Sequence, residues 1–145
     1  METLLISACL MGYNCKYNGG NNTLPPEVLA ALRERYRLIP VCPEAAGGLP
    51  TPRVPSERRG SGVVTRDGRD VTAAFRRGAE IAGALAVRYD TRLALLKSNS
   101  PSCGSGTIYD GSFTGTLTPG DGVTTEYLKN KNLIIFENYS SLLDG

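Results

Sequence analysis

The stretch Leu4-Leu5-Ile6-Ser7-Ala8-Cys9 is uncharged and mostly apolar, and it breaks into a polar, glycine-containing segment from Met11 to Asn22. A short apolar run without polar alternation, closed by turn-forming residues, reads as a strand buried on both faces. Such strands belong to parallel sheets whose two faces are covered by helices, so the rest of the chain is expected to alternate strand with helix.

The residues that follow keep that alternation. Pro25 and Pro26 open a helix to about Tyr36, because proline is tolerated in the first helical turn. Leu38 to Cys42 reads as a second strand, and Pro40, which lacks a ladder donor, places it at a sheet edge. From Thr72 to Tyr89, Phe75, Ala79, Ala82, Leu85 and Ala86 form an apolar stripe, with Arg76 and Glu80 spaced to pair on the wet side. Leu93 to Lys97 is the third strand, Thr124 to Asn130 the last helix and Leu133 to Phe136 the fourth strand. Pro43 to Gly62, with four prolines and a Gly47-Gly48 pair, is expected to be a long loop. In the glycine- and serine-rich run from Ser98 to Gly122, Asp110-Gly111 predicts a hairpin turn between Ile108-Tyr109 and Phe113-Thr114. The expectation is one α/β domain over residues 1–145, Rossmann-like, with a mostly parallel four-stranded sheet and flanking helices.

Composition narrows the function. A chain of 145 residues, 41% hydrophobic and 21% charged, supports one core. The 16 basic and 14 acidic side chains are spread along the chain, so the net charge of +2 does not argue for binding long nucleic acid. Met1-Glu2-Thr3 lacks the basic start of a signal peptide and no segment reaches membrane-spanning length, so we expect a cytoplasmic protein without membrane partners. There is no histidine, which removes imidazole proton shuttles and mixed Cys/His zinc sites and leaves acid–base work to carboxylates, hydroxyls, lysines or thiols.

Four cysteines are then the conspicuous resource. In a reducing compartment they are expected as packing, reactive thiols or metal ligands rather than a disulfide framework. Cys9 lies at the end of the first strand, Cys42 at the end of the second and Cys103 a few residues beyond the third. Ligands of open parallel sheets bind beyond the carboxyl ends of the strands, so neighbouring strands would bring these three thiols to one rim. Thiolates are soft ligands for an iron-sulfur cluster or zinc, with a fourth ligand that is either Cys15 or exchangeable. Four protein ligands would suit a structural or electron-transfer site, whereas three leave a position open for substrate. The spacing alone does not separate these from buried structural cysteines, and a thiol redox enzyme using two of them is a further alternative.

Ordered motifs add to this reading. Ser7-Ala8-Cys9-Leu10-Met11-Gly12, Val41-Cys42-Pro43-Glu44 with Gly47-Gly48-Leu49-Pro50-Thr51-Pro52-Arg53, and Lys97-Ser98-Asn99-Ser100-Pro101-Ser102-Cys103-Gly104 resemble the thiouracil desulfurase family. Gly68-Arg69-Asp70-Val71-Thr72, Gly78-Ala79-Glu80 and Gly120-Asp121-Gly122-Val123-Thr124 extend the likeness over nearly the whole chain. The resemblance implies a 4Fe-4S cluster carried over to Cys9, Cys42 and Cys103, with Glu44 and Ser100 assisting catalysis and no ligand at Cys15. It also implies non-redox removal of sulfur from a small thiolated base or nucleotide: an open iron takes the thiocarbonyl sulfur, water attacks the carbon, and sulfide departs as uracil forms. From residue chemistry alone, Glu44 can instead pair with Arg53, Ser98 and Ser102 compete with Ser100 as the useful hydroxyl, and Lys97 and Arg53 can hold an anionic substrate.

Overall fold

A computed structural model describes residues 1–144 of the protein. In chain order its elements are β1 (Glu2–Ser7), α1 (Pro26–Arg35), β2 (Tyr36–Val41), α2 (Pro43–Ala46), β3 (Ser56–Arg59), β4 (Gly62–Thr65) and α3 (Thr72–Arg88). They continue with β5 (Leu93–Leu95), β6 (Thr107–Tyr109), β7 (Leu117–Pro119), α4 (Val123–Asn130), β8 (Ile134–Phe136) and α5 (Ser140–Leu143). The main sheet runs β2-β1-β5-β8 with every neighbour parallel. The strand order reverses between β1 and β5, the kind of switch point at which α/β sheets open a ligand crevice.

The strand that decides the fold is buried on both faces. Leu4 and Ile6 pack with Leu32 of α1 and Leu142 of α5, whereas Leu5 packs with Ala82 of α3 and Leu128 of α4. Helices therefore cover both sides of the sheet. In α3, Phe75, Ala79, Ala82 and Ala86 recur every three or four residues and are all buried, so burial of the apolar stripe fixes the face it presents. Glycine sets how close the helices come: a Cβ on Gly83 would lie 2.6 Å from the Tyr127 ring of α4. Pro40 sits opposite Ile6 in β2, an edge strand, where a missing donor costs little.

Four expectations are corrected. β1 stops at Ser7, and Ala8–Met11 tightens into a 3-10 turn closed by Gly12 at φ +94, so Cys9 lies just beyond the strand. The segment expected as one long loop contains α2 and β3, and β3 pairs antiparallel with β4, which begins at the segment's last residue; these strands of four residues, one of them Ser-Glu-Arg-Arg, carry no clear apolar alternation to announce them. The second hairpin pairs β6 with β7, so Asp110-Gly111 belongs to a longer connection and Phe113-Thr114 lies in that loop. Arg76 and Glu80 form no ion pair among the described residues; an exposed pair gains too little to hold two long side chains together.

Candidate active site

The three cysteines arrive at the carboxyl end of the sheet by different local means. Cys9 sits in the 3-10 turn after β1, where its carbonyl accepts the N–H groups of Gly12 at 3.3 Å and Asn22 at 3.0 Å. Cys42 directly follows β2 and precedes α2, with its carbonyl taking the Ala46 N–H at 2.9 Å. Pro43 then occupies the first helical position, where its missing N–H is not needed. Gly78 of α3 passes so close to Pro43 that any Cβ there would collide with the Pro43 carbonyl. Cys103 ends a turn in which Ser100 Oγ accepts the Cys103 N–H at 2.7 Å and Ser100 O accepts the Gly104 N–H at 3.0 Å. The start of α4 braces it: Thr125 Oγ1 donates to Cys103 O at 2.8 Å, and Gly122 presses so closely on Ser102 that a Cβ would clash.

All three cysteines line one cavity of about 680 Å³, which Glu44 and Ser100 also line. Glu44, in the first turn of α2, is held by Arg53, whose Nε lies 3.2 Å from Oε1. Burial pushes the Glu44 carboxyl above the usual carboxylate range, and the guanidinium only partly offsets it. Pairing with Arg53 and facing the cavity are thus compatible for Glu44. Ser102 is taken out of contention, being buried and bonded to Thr124 Oγ1 at 2.8 Å, while Ser98, Ser100 and Lys97 all line the cavity.

Several site residues carry no signal strong enough to single them out in the sequence. Ser7, at the last position of β1, accepts the Lys97 N–H at 2.9 Å and lies 3.5 Å from Cys103 Sγ, to which its hydroxyl donates. Asn22 Nδ2 donates to Cys9 Sγ at 3.6 Å. Cys15, without a positional argument in the sequence, lines the same cavity; its carbonyl faces Cys42 Sγ at 3.7 Å and accepts Arg53 Nη2 at 2.9 Å. The only available pointers were the Ser7-Ala8-Cys9 run at a strand end and the asparagine-rich loop that carries Cys15 and Asn22.

Cys9, Cys15 and Cys103 are held toward the protonated thiol. Burial pushes Cys103 up to about 12 and raises Cys9, against the smaller opposing effects of Ser7 and Asn22. Burial and then the neighbouring Cys42 push Cys15 up to about 12 as well. A redox thiol needs the opposite shift. Among the described residues no three cysteine or carboxylate side chains converge tightly enough for a single metal ion. Thiol sulfurs spread around a common cavity instead fit a larger, soft inorganic group such as an iron-sulfur cluster.

A parallel α/β sheet with thiols, a carboxylate and a hydroxyl gathered at its switch point is the framework of an enzyme that holds a soft metal centre in a substrate-sized cavity. The chain belongs to the 2-thiouracil desulfurase family, whose model matches residues 4–139. It is 38% identical to Bacillus subtilis (strain 168) YbbK, described as an uncharacterized protein, over 93% of this chain and 95% of YbbK. A solved structure described as the 4Fe-4S-dependent thiouracil desulfidase TudS shares its fold at a TM-score of 0.93 and 46% identity, covering 99% of this chain and 95% of that one. No helix among the described residues is long and apolar enough to cross a membrane.

Proposed function

We propose that this protein is a thiouracil desulfurase that converts the thiocarbonyl of a small thiolated base or nucleotide to a carbonyl, with water consumed and hydrogen sulfide released. The observation that carries the reading is the meeting of Cys9, Cys42 and Cys103, from the segments that follow three separate strands, with Glu44 and Ser100 in one cavity of a chain of this family. These three cysteines would hold a 4Fe-4S cluster. When bound, that cluster supplies a Lewis acid with affinity for the thiocarbonyl sulfur.

The chain's own groups supply the rest. Glu44, kept in place by Arg53, takes a proton from the attacking water or from the ring nitrogen; its raised pKa suits it to hold that proton and return it. Ser100 Oγ already accepts the Cys103 N–H and keeps its own proton to donate to the departing sulfur or the ring. Lys97 adds positive charge at the cavity wall, which suits a phosphorylated substrate as well as a free base. We take the whole of residues 1–145 as one such domain, acting in the cytoplasm on small molecules rather than long nucleic acid.

One observation favours a second reading. Cys15 stands beside Cys42 in the same wall, as a four-thiolate structural or electron-transfer centre would require. The deciding experiment is anaerobic reconstitution, followed by assay of iron, acid-labile sulfide, and uracil and sulfide release from 2-thiouracil. Sulfide release from a cluster that survives Cys15→Ala supports desulfuration. A cluster that needs all four cysteines and turns nothing over supports the alternative.

A further inference from the structure

The loop between β6 and β7 carries an aromatic residue in an unfavourable backbone conformation. Phe113 has φ +59, a region that bulky side chains rarely enter and that Gly111 at +92 and Gly115 at +78 occupy nearby without penalty. Closing the loop would be easier with glycine or asparagine at 113. Strain of this kind persists only where the surroundings over-determine it.

The surroundings here are the β3–β4 hairpin. Glu57 Oε1 accepts both the Gly111 N–H at 2.9 Å and the Phe113 N–H at 3.1 Å, and Arg59 Nε donates to the Gly111 carbonyl at 2.7 Å. A carboxylate from one hairpin therefore fixes the turn of another. The ring does not contribute to the core, since Phe113 is in none of the three buried apolar clusters. It lines the cavity that the cysteines line, and the guanidinium of Arg66, another lining residue, stands over it at 5.8 Å from the ring centroid.

We propose that Phe113 is a specificity-determining residue: its ring, backed by Arg66, is the wall against which the planar ring of the substrate packs, and Glu57 is the positioning residue that holds it there. The inference deepens the desulfuration reading and rests on it for the identity of that ring. A hydrophobic wall on a polar turn explains why a strained aromatic occupies a site suited to glycine.

The test compares the parent with F113G, F113L, F113Y, E57A and the E57A/F113G double variant. KM and kcat are measured on reconstituted protein with 2-thiouracil, and the affinity for uracil by ligand-observed NMR. F113G and F113L should raise both KM and the uracil Kd about tenfold or more, the loss expected when an aromatic that stacks on a base is removed. F113Y should recover most of the affinity lost in F113L. F113G should also raise the thermal midpoint by relieving the backbone, separating binding from stability. E57A should raise KM more than it lowers kcat, and the double variant should bind no worse than F113G, because Glu57 acts through Phe113. Parent-like uracil affinity in F113G would overturn the assignment, and additive losses in the double variant would overturn the role of Glu57. Uracil affinity requires no turnover, so a parent that binds uracil through Phe113 yet releases no sulfide refutes the desulfuration reading and leaves the wall standing.

Discussion

Arg53 Nε sits 3.2 Å from Glu44 Oε1 while the same guanidinium donates to the carbonyls of Cys15 at 2.9 Å and Pro50 at 3.1 Å and to Thr51 Oγ1 at 3.0 Å. One side chain thereby ties the carboxylate after Cys42 to the loop that carries Cys15. It also opposes the burial that raises the Glu44 pKa.

The sign of the pH dependence follows. A carboxylate acting as base works when deprotonated, so activity should fall as pH drops through its folded-state pKa, and burial puts that limb above the ordinary value of about 4.3. Arg53→Met removes the opposing charge and should move the acid limb to still higher pH. Glu44→Gln should cost about 10²- to 10⁴-fold in kcat and keep its iron. A pH–rate profile of parent and both variants checks this; an acid limb that Arg53→Met leaves in place would exclude Glu44 as the titrating group.

Iron and acid-labile sulfide should be lost from Cys9→Ala, Cys42→Ala and Cys103→Ala and retained by Cys15→Ala. Because Cys9 and Cys103 titrate above a free thiol, loading must displace their protons and should weaken as the medium is acidified. Cluster absorbance followed during reconstitution at several pH values measures both effects.

Ser100→Ala removes the acceptor of the Cys103 N–H as well as a proton donor. If the hydroxyl works in catalysis, the variant holds a full complement of iron while kcat drops about 10²-fold or more. Iron content that falls in step with activity would make Ser100 a turn residue only.

Gly78→Ala places a methyl group against the Pro43 carbonyl, and α2 must shift to make room. Overpacking of this kind costs about 1–3 kcal/mol, so the thermal midpoint should fall and iron uptake with it, since Cys42 and Glu44 flank Pro43. Val87→Ala, at a residue of the same helix that is 80% exposed, should change stability by no more than about 0.5 kcal/mol.

The sheet and its helices were legible because burial imposes periodicity: Leu4-Leu5-Ile6 had to be covered on both faces, and Phe75, Ala79, Ala82 and Ala86 had to face inward. The hairpins were not, since the short strands Ser56–Arg59 and Leu117–Pro119 bury little and are shaped by contacts such as those of Glu57 with a distant loop. The same division runs through the site. Cys9, Cys42 and Cys103 could be placed from strand ends, whereas Cys15, Asn22 and Phe113 reach the cavity along loop paths that no local pattern encodes. Ser7 was hidden for a different reason: a serine at the end of an apolar strand looks like the start of a turn until Lys97 and Cys103 are seen to converge on it.

The two glycine contacts, Gly78 on Pro43 and Gly122 on Ser102, fix the backbone beside Cys42 and Cys103 through packing that involves no inorganic group. With a cluster on these cysteines, the scaffold would behave as a socket rather than a clasp: damage to the metal centre by oxygen would not unravel the polypeptide. The emptied protein would keep its shape through cycles of loss and repair, and could be refilled without being made again.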